Sequence, residues 1–136
     1  MFDHEKLDVY RVSIHFVTWS YRLCRQFKGA ERHARDQLLR ASQSVPLNIA
    51  EGNGKLPSAD RCRYLRIALG SALECAATLD VLRACDAIGT EVAQTGKELL
   101  ARIVAMLTKM VSHQMRVGEE SEYEYAYECE YDMTAG

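Results

Sequence analysis

The sequence predicts an all-α protein, an antiparallel up-down-up-down four-helix bundle with a disordered acidic C-terminal tail. Four long segments have apolar residues that recur every three or four positions, and only short connections separate them. The chain has just 2 prolines and 8 glycines in 136 residues, which is too few for a loop-rich all-β fold. We therefore expect one helical domain over residues 1–118 and a tail over residues 119–136.

The first predicted helix covers residues 7–27 and carries two apolar stripes. An apolar arc this broad exceeds what one neighbouring helix covers, so we expect burial in the bundle on one side and against another subunit on the other. The stripes are Tyr10, Ile14, Val17, Tyr21 and Cys24, and Val9, Val12, Phe16, Trp19, Leu23 and Phe27.

The second predicted helix covers residues 30–51. Pro46 removes one backbone hydrogen bond and crowds the carbonyl of Ser42, so a kink is expected there. Gly52 and Gly54 are expected to end the helix through a left-handed cap. The predicted inner face consists of Ala34, Leu38, Ala41, Val45 and Ile49.

The third predicted helix begins after Pro57 with Ser58 as its cap and ends near Ala87, and Thr90 caps the fourth. Both carry one apolar stripe. These stripes are Leu65, Ala68, Leu69, Ala72, Cys75, Ala76, Leu79 and Leu82 on the third helix, and Val92, Leu99, Ile103, Met106 and Met110 on the fourth, thickened by Leu100, Val104, Leu107 and Val111.

The tail has a different pattern, because residues 122–131 alternate tyrosine with glutamate almost throughout. Such a period of two suits a strand added to a partner's sheet. A bundle has no sheet, however, and an acidic terminal run is typical of disorder, which is therefore the prediction.

Charged residues are unevenly distributed along the chain, although the net charge is only −2. The tail holds seven acids and no Lys or Arg, so residues 1–118 hold 17 basic and 12 acidic residues. A basic body is compatible with a nucleic-acid partner, and the acidic tail would then compete with the nucleic acid for the basic residues. The alternative is that both charged regions only keep the protein in solution. The candidate contacts are Arg11, Arg22 and Arg25 on the first helix and Arg32, Arg35 and Arg40 on the second.

No catalytic, metal or cofactor site is predicted. The four histidines are scattered and lack the Glu-x-x-His pattern of bundle metal sites, and no phosphate-loop or nucleophile-elbow motif occurs. Five cysteines without a C-x-x-C pair indicate buried free thiols in a reducing cytoplasm. The longest uncharged runs have about half the length of a membrane span, and no leader opens the chain, so we expect a cytoplasmic protein.

Three polar residues lie within the apolar pattern of the second and third helices. Asn48 and Glu51 occupy the last turn of the second helix, and Glu74 lies in the middle of the third, with Arg63 and Arg66 as candidate partners. We predict a polar clasp that fixes how the two helices meet. A contact with a ligand is the alternative.

Two sequence runs resemble a known family. Ser44-Val-Pro-Leu-Asn-Ile-Ala-Glu-Gly52 and Gly70-Ser-Ala-Leu-Glu-Cys75 are similar to bacterial four-helix-bundle proteins encoded by intervening sequences in 23S rRNA genes, and the similarity covers about residues 5–115. The resemblance implies an antiparallel bundle and ring-shaped homopentamers. A related branch is the accessory variability determinant of diversity-generating retroelements, a basic pentamer that binds a reverse transcriptase and nucleic acid.

The resulting functional hypothesis is a non-enzymatic, homo-oligomeric scaffold, a pentamer that mediates protein–protein interaction. The alternative is a nucleic-acid-binding accessory factor, with RNA, DNA or a nucleic-acid enzyme as its partner.

Overall fold

A computed structural model describes the backbone of residues 1–55 and 58–129, and the side chains within them except at 58 and 118–129. Four helices account for most of this part: α1 (Asp8–Cys24), α2 (Arg32–Asn53), α3 (Ser58–Ala84) and α4 (Thr90–Cys129). Short 3-10 turns at Asp3–Lys6 and Gly29–Glu31 precede α1 and α2. The described residues contain no strand, and the all-α prediction is confirmed.

Pairs of contacting residues show that consecutive helices are antiparallel, because residue numbers rise along one helix as they fall along the next. Between α2 and α3 these pairs are Gln37 with Glu74 and Ser44 with Ser71, and between α3 and α4 they are Asp80 with Lys97 and Arg66 with Met115. Helices α1 and α3 each pack against α2 and α4, so α1 and α3 occupy opposite corners of the bundle.

The core draws large side chains from all four helices. The predicted inner face of α2 is confirmed, with Ala34 only half-buried. On α4 the register differs at one point: Val92 is exposed and Ala93 takes the buried position. The largest completely buried side chains are Phe16, Leu38, Ile49, Leu65, Leu79, Leu82, Leu100, Ile103 and Leu107.

Helix α2 runs through Pro46 without an interruption and ends at Asn53. The predicted left-handed cap is wrong, since Gly54 has φ −84°. Gly52 instead permits close packing of α2 against α3: a β-carbon there would lie 2.9 Å from Cβ of Tyr64 and 3.3 Å from the backbone oxygen of Arg61.

Helix α3 ends at Ala84, earlier than the expected Ala87. The reason is Asp86, whose φ of 61° lies in the left-handed region, which aspartate tolerates better than most residues. The amide of Ala87 then donates to the carbonyl of Leu82 at 2.8 Å, which closes the helix end.

Helix α4 continues beyond the bundle. Its backbone is helical to Cys129, which includes residues 119–129 of the segment expected to be disordered, and residues 130–136 lie outside the described ones.

None of the described helices combines the length and the apolar character needed to cross a bilayer.

Candidate functional site

The polar contact between α2 and α3 centres on two serines. The side-chain amide of Asn48 donates to the carbonyl oxygen of Ser44 at 2.8 Å and to its Oγ at 3.0 Å. The hydroxyl of Ser71 donates to the same Oγ at 2.8 Å, so one hydrogen-bonded chain crosses from α2 to α3. Asn48 therefore lies in the expected place but acts through Ser44 and Ser71.

The two carboxylates named with Asn48 lie elsewhere. Glu74 is exposed and accepts a hydrogen bond from Nε2 of Gln37 at 3.2 Å, at the edge of the α2–α3 contact. Glu51 is exposed and pairs at 3.4 Å with Lys55, which lies just beyond the end of the same helix. The structure thus does not bring the three residues into one cluster.

The arginines expected to partner Glu74 have other contacts. Nη2 of Arg66 lies 3.0 Å from the sulfur of Met115, and the guanidinium of Arg63 lies over the ring of Tyr64 at 4.8 Å. Glu74 consequently keeps one oxygen, Oε2, without a hydrogen bond within the described part of the chain.

The six arginines proposed for nucleic acid do not form one surface. Arg22, Arg25 and Arg32 are exposed near the end of the bundle where α1 connects to α2, and Arg40 is exposed about two turns further along α2. Arg11 lies towards the opposite end of α1, where its Nε donates to the carbonyl of Glu5 at 2.9 Å.

Arg35 links the α1–α2 connection to α2. Its Nη1 donates to the carbonyl of Phe27 at 3.3 Å, and its Nη2 pairs with Asp36 at 3.2 Å. These bonds hold the α1–α2 connection against α2.

Cys24 and Cys75 are unsuited to nucleophilic chemistry. Burial raises the pKa of the Cys24 thiol to about 11, although the nearby Arg35 lowers it, and burial raises the pKa of Cys75 to about 12. Both thiols are therefore protonated at neutral pH, while the reactive species is the thiolate. Cys62 is also buried, whereas Cys85 is exposed, unlike the prediction for helical cysteines.

An open groove of about 510 Å³ lies between α1 and α4. Arg11 and Arg102 flank it together with Asp8, over an apolar floor of Val12 and Met106. No pair of groups in this groove has the arrangement of a nucleophile and its base.

The α1 stripe that contains Ile14 and Tyr21 is only partly covered. Ile14 and Tyr21 are each 42% exposed, whereas Phe16 on the other stripe is completely buried. On the helix surface these two residues form one row with their polar neighbours at intervals of three and four. We call this row the α1 ridge: Arg11, Ile14, Thr18, Tyr21 and Arg25.

The middle of the outward face of α3 is mostly apolar. Its residues there are small or aliphatic apart from Glu74, and a β-carbon at Gly70 would meet no atom within 4 Å. Charged residues are exposed towards both ends of the helix: Arg63, Arg66, Asp80 and Arg83. The apolar stripe predicted for α3 is the buried one. The signal for the exposed face is Ile67 and Val81, which lie at helical spacing from Gly70 and Ala77. We call it the α3 ridge: Ile67, Gly70, Glu74, Ala77, Val81 and Ala84.

The comparison with protein families decides what kind of bundle this is. The model of the family described as 23S rRNA-intervening sequence protein matches residues 5–109. The chain belongs to that family. This confirms the resemblance drawn from the sequence, while the link to the accessory variability determinant stays a prediction.

A solved structure supports the fold of this 23S rRNA-intervening sequence protein. It is similar, with a TM-score of 0.70 and 24% identity, to a protein of unknown function from the S23 ribosomal protein family of Bacteroides thetaiotaomicron. The similarity covers 76% of this chain and 97% of the other. A search of curated proteins finds no match.

Proposed function

We propose that this 23S rRNA-intervening sequence protein is a non-enzymatic scaffold that assembles into a ring of five copies and mediates protein–protein interaction. The observation that carries the proposal is the pair of uncovered apolar ridges on α1 and α3. Contiguous apolar patches on a soluble domain typically mark an interaction surface.

The position of the two ridges favours copies of the same chain as the first partner. Helices α1 and α3 lie at opposite corners of the bundle, so each copy presents two different faces in different directions. A contact between two unlike faces repeats from copy to copy, and it closes into a ring when the rotation between copies permits. The number five is taken from the family resemblance.

A scaffold suits the chemistry of the chain better than an enzyme does. Two of the buried thiols are held in the protonated form, and the α1–α4 groove is open to solvent and lacks a nucleophile–base pair. A ring would instead present five copies of each outward surface, which strengthens weak binding to a multivalent partner.

Light scattering on the purified protein at micromolar concentration tests the assembly. One chain has a mass of 15.4 kDa, and we expect the particle in solution to have about five times the mass of one chain. A particle with the mass of a single chain, unchanged as the concentration rises, would contradict the proposal.

A second candidate function, nucleic-acid binding, is favoured by the exposed basic residues at the α1–α2 end. Arg22, Arg25, Lys28 and Arg32 lie within eleven positions of one another, and all are exposed. A ring would repeat this cluster five times, so that weak phosphate contacts add up.

The helical part of the acidic extension, residues 119–129, starts far from this cluster within one chain. Trp19 contacts Gly96, and α4 runs from there away from Arg22. Residue 119 lies 23 positions beyond Gly96, which is about 35 Å along a helix. Exposed charges interact weakly beyond about 10 Å at 0.1 M salt, so the helical part of the tail lies too far away.

A salt titration of RNA and DNA binding tests this candidate. We expect the logarithm of affinity to fall linearly with the logarithm of salt, and Arg22→Ala or Arg32→Ala to reduce the slope by about one unit each. Lys109→Ala, at an exposed position towards the other end, is the matched control and leaves the slope unchanged. Absence of binding even at low salt would exclude the candidate.

A further inference from the structure

We propose that the α1 ridge of one copy packs, in parallel orientation, against the α3 ridge of the next copy, with Arg11 facing Glu74 across the contact. This inference rests on the proposed homo-oligomer and names the two surfaces that build it. Spacing, level and charge along the two ridges each support it.

The two ridges have complementary shapes. On the α1 ridge the large side chains Ile14 and Tyr21 are seven residues apart, which is two helical turns. On the α3 ridge small residues follow the same spacing, at Gly70, Ala77 and Ala84. Large residues at intervals of seven fit the spaces above small residues at the same interval, as in knobs-into-holes packing.

The two ridges also lie at the same level of the bundle. A β-carbon at Gly96 would meet both the ring of Trp19 and Cδ1 of Leu79, so these residues of α1 and α3 lie side by side around α4. Eight residues before Trp19 is Arg11, and eight residues before Leu79 is residue 71, so Arg11 is level with residue 71. Glu74 lies three positions further, about 4.5 Å along the axis, which an arginine side chain spans.

A closed ring requires the two contacting ridges to lie at the same height along the bundle. Copies related by rotation about an axis along the bundle have no rise between them, so residues that meet across the contact must lie at similar heights. Helices α1 and α3 run in the same direction in an up-down-up-down bundle, which makes the contact parallel. Ile14 then comes within one turn of Ala77, and Tyr21 within one turn of Ala84.

The charges along the ridges favour the unlike pairing. Glu74 is the single charged residue of the α3 ridge, and its Oε2 is without a hydrogen bond in the described structure. The α1 ridge carries Arg25 and Arg11, and Nη1 of Arg11 also lies 3.7 Å from the carboxylate of Asp8 on its own helix. Pairing two α1 ridges would bring like charges together, whereas pairing α1 with α3 brings opposite charges together and sets the register.

Charge reversal tests the named pair. We expect Arg11→Glu and Glu74→Arg each to reduce the mass measured by light scattering at low micromolar concentration, and the double variant to regain the mass of the unmodified protein. Leu47→Arg, at an exposed apolar position of α2 outside both ridges, is the control and leaves the mass unchanged. Circular dichroism checks that every variant keeps its helices.

The outcomes separate this inference from the proposed function. A monomeric unmodified protein would overturn both. An assembled protein whose mass neither single reversal reduces would overturn the α1–α3 contact and leave the homo-oligomer standing. Loss of mass in both single variants without recovery in the double variant would overturn the Arg11–Glu74 pairing. If a reversed variant loses its helical signal, Ala77→Arg replaces it: Ala77 is exposed, so the fold tolerates the change while the contact does not.

Discussion

Replacing Phe16 with alanine is expected to lower the free energy of unfolding by about 3–5 kcal/mol, the usual cost of removing a large buried aromatic ring. Phe16 is completely buried and stacks on Trp19 with ring centroids 5.6 Å apart. Trp19 in turn lies over Gly96, so the cavity would open between α1 and α4. Chemical denaturation followed by circular dichroism measures the loss.

The matched control is Ile14→Ala, two residues away on the same helix. Ile14 is 42% exposed, and we expect its truncation to cost less than about 1 kcal/mol of folding free energy. Both variants are measured in the Ala77→Arg background, so that subunit association does not contribute. Equal losses in the two variants would contradict the assignment of one α1 stripe to the core and the other to the surface.

Replacing Gly52 with alanine is expected to destabilise the fold by about 1–3 kcal/mol, the range for overpacking a tight contact. Alanine is intrinsically the better helix former by up to about 1 kcal/mol, so the sign depends on the contact with α3. The new methyl would meet Cβ of Tyr64 and the backbone oxygen of Arg61. Neither atom moves unless α3 itself shifts.

Gly70→Ala provides the control, because a β-carbon there meets nothing within 4 Å. In the same Ala77→Arg background we expect this change to raise the free energy of unfolding by about 0.5–1 kcal/mol. Thermal denaturation compares the two. A stabilising Gly52→Ala would show that α2 and α3 do not approach closely at this point.

The sequence allowed the helices and most of the core to be predicted, because a period of three to four residues specifies both. The buried stripes of α2 and α3 follow directly from it. The helix boundaries that depend on backbone conformation could not be predicted from this period. A glycine at position 52 suggests a helix cap, yet Gly52 lies within α2 and permits close packing against α3. Only the position of Tyr64 on a neighbouring helix reveals this.

Of the two candidate surfaces, the sequence indicated the one on α1 but not the one on α3. The breadth of the apolar arc on α1 indicated a subunit contact, and the exposure of Ile14 and Tyr21 agrees with that interpretation. The α3 ridge was not predicted, because the small residues Gly70 and Ala77 and the charged Glu74 lie between its Ile67 and Val81 and weaken the apolar pattern.

Of the three residues of the predicted clasp, Glu74 does accept a hydrogen bond from Gln37 of α2, and Asn48 reaches α3 through Ser44 and Ser71. Glu51 takes no part, because it pairs with Lys55.

The most direct test of the central claim, that other copies of the chain cover the α1 and α3 ridges, compares three native masses by light scattering. We expect the unmodified protein and Leu47→Arg to have about five times the mass of one chain, and Ala77→Arg to have the mass of one chain. An Ala77→Arg protein as large as the unmodified one, or an unmodified protein with the mass of a single chain, would contradict the claim.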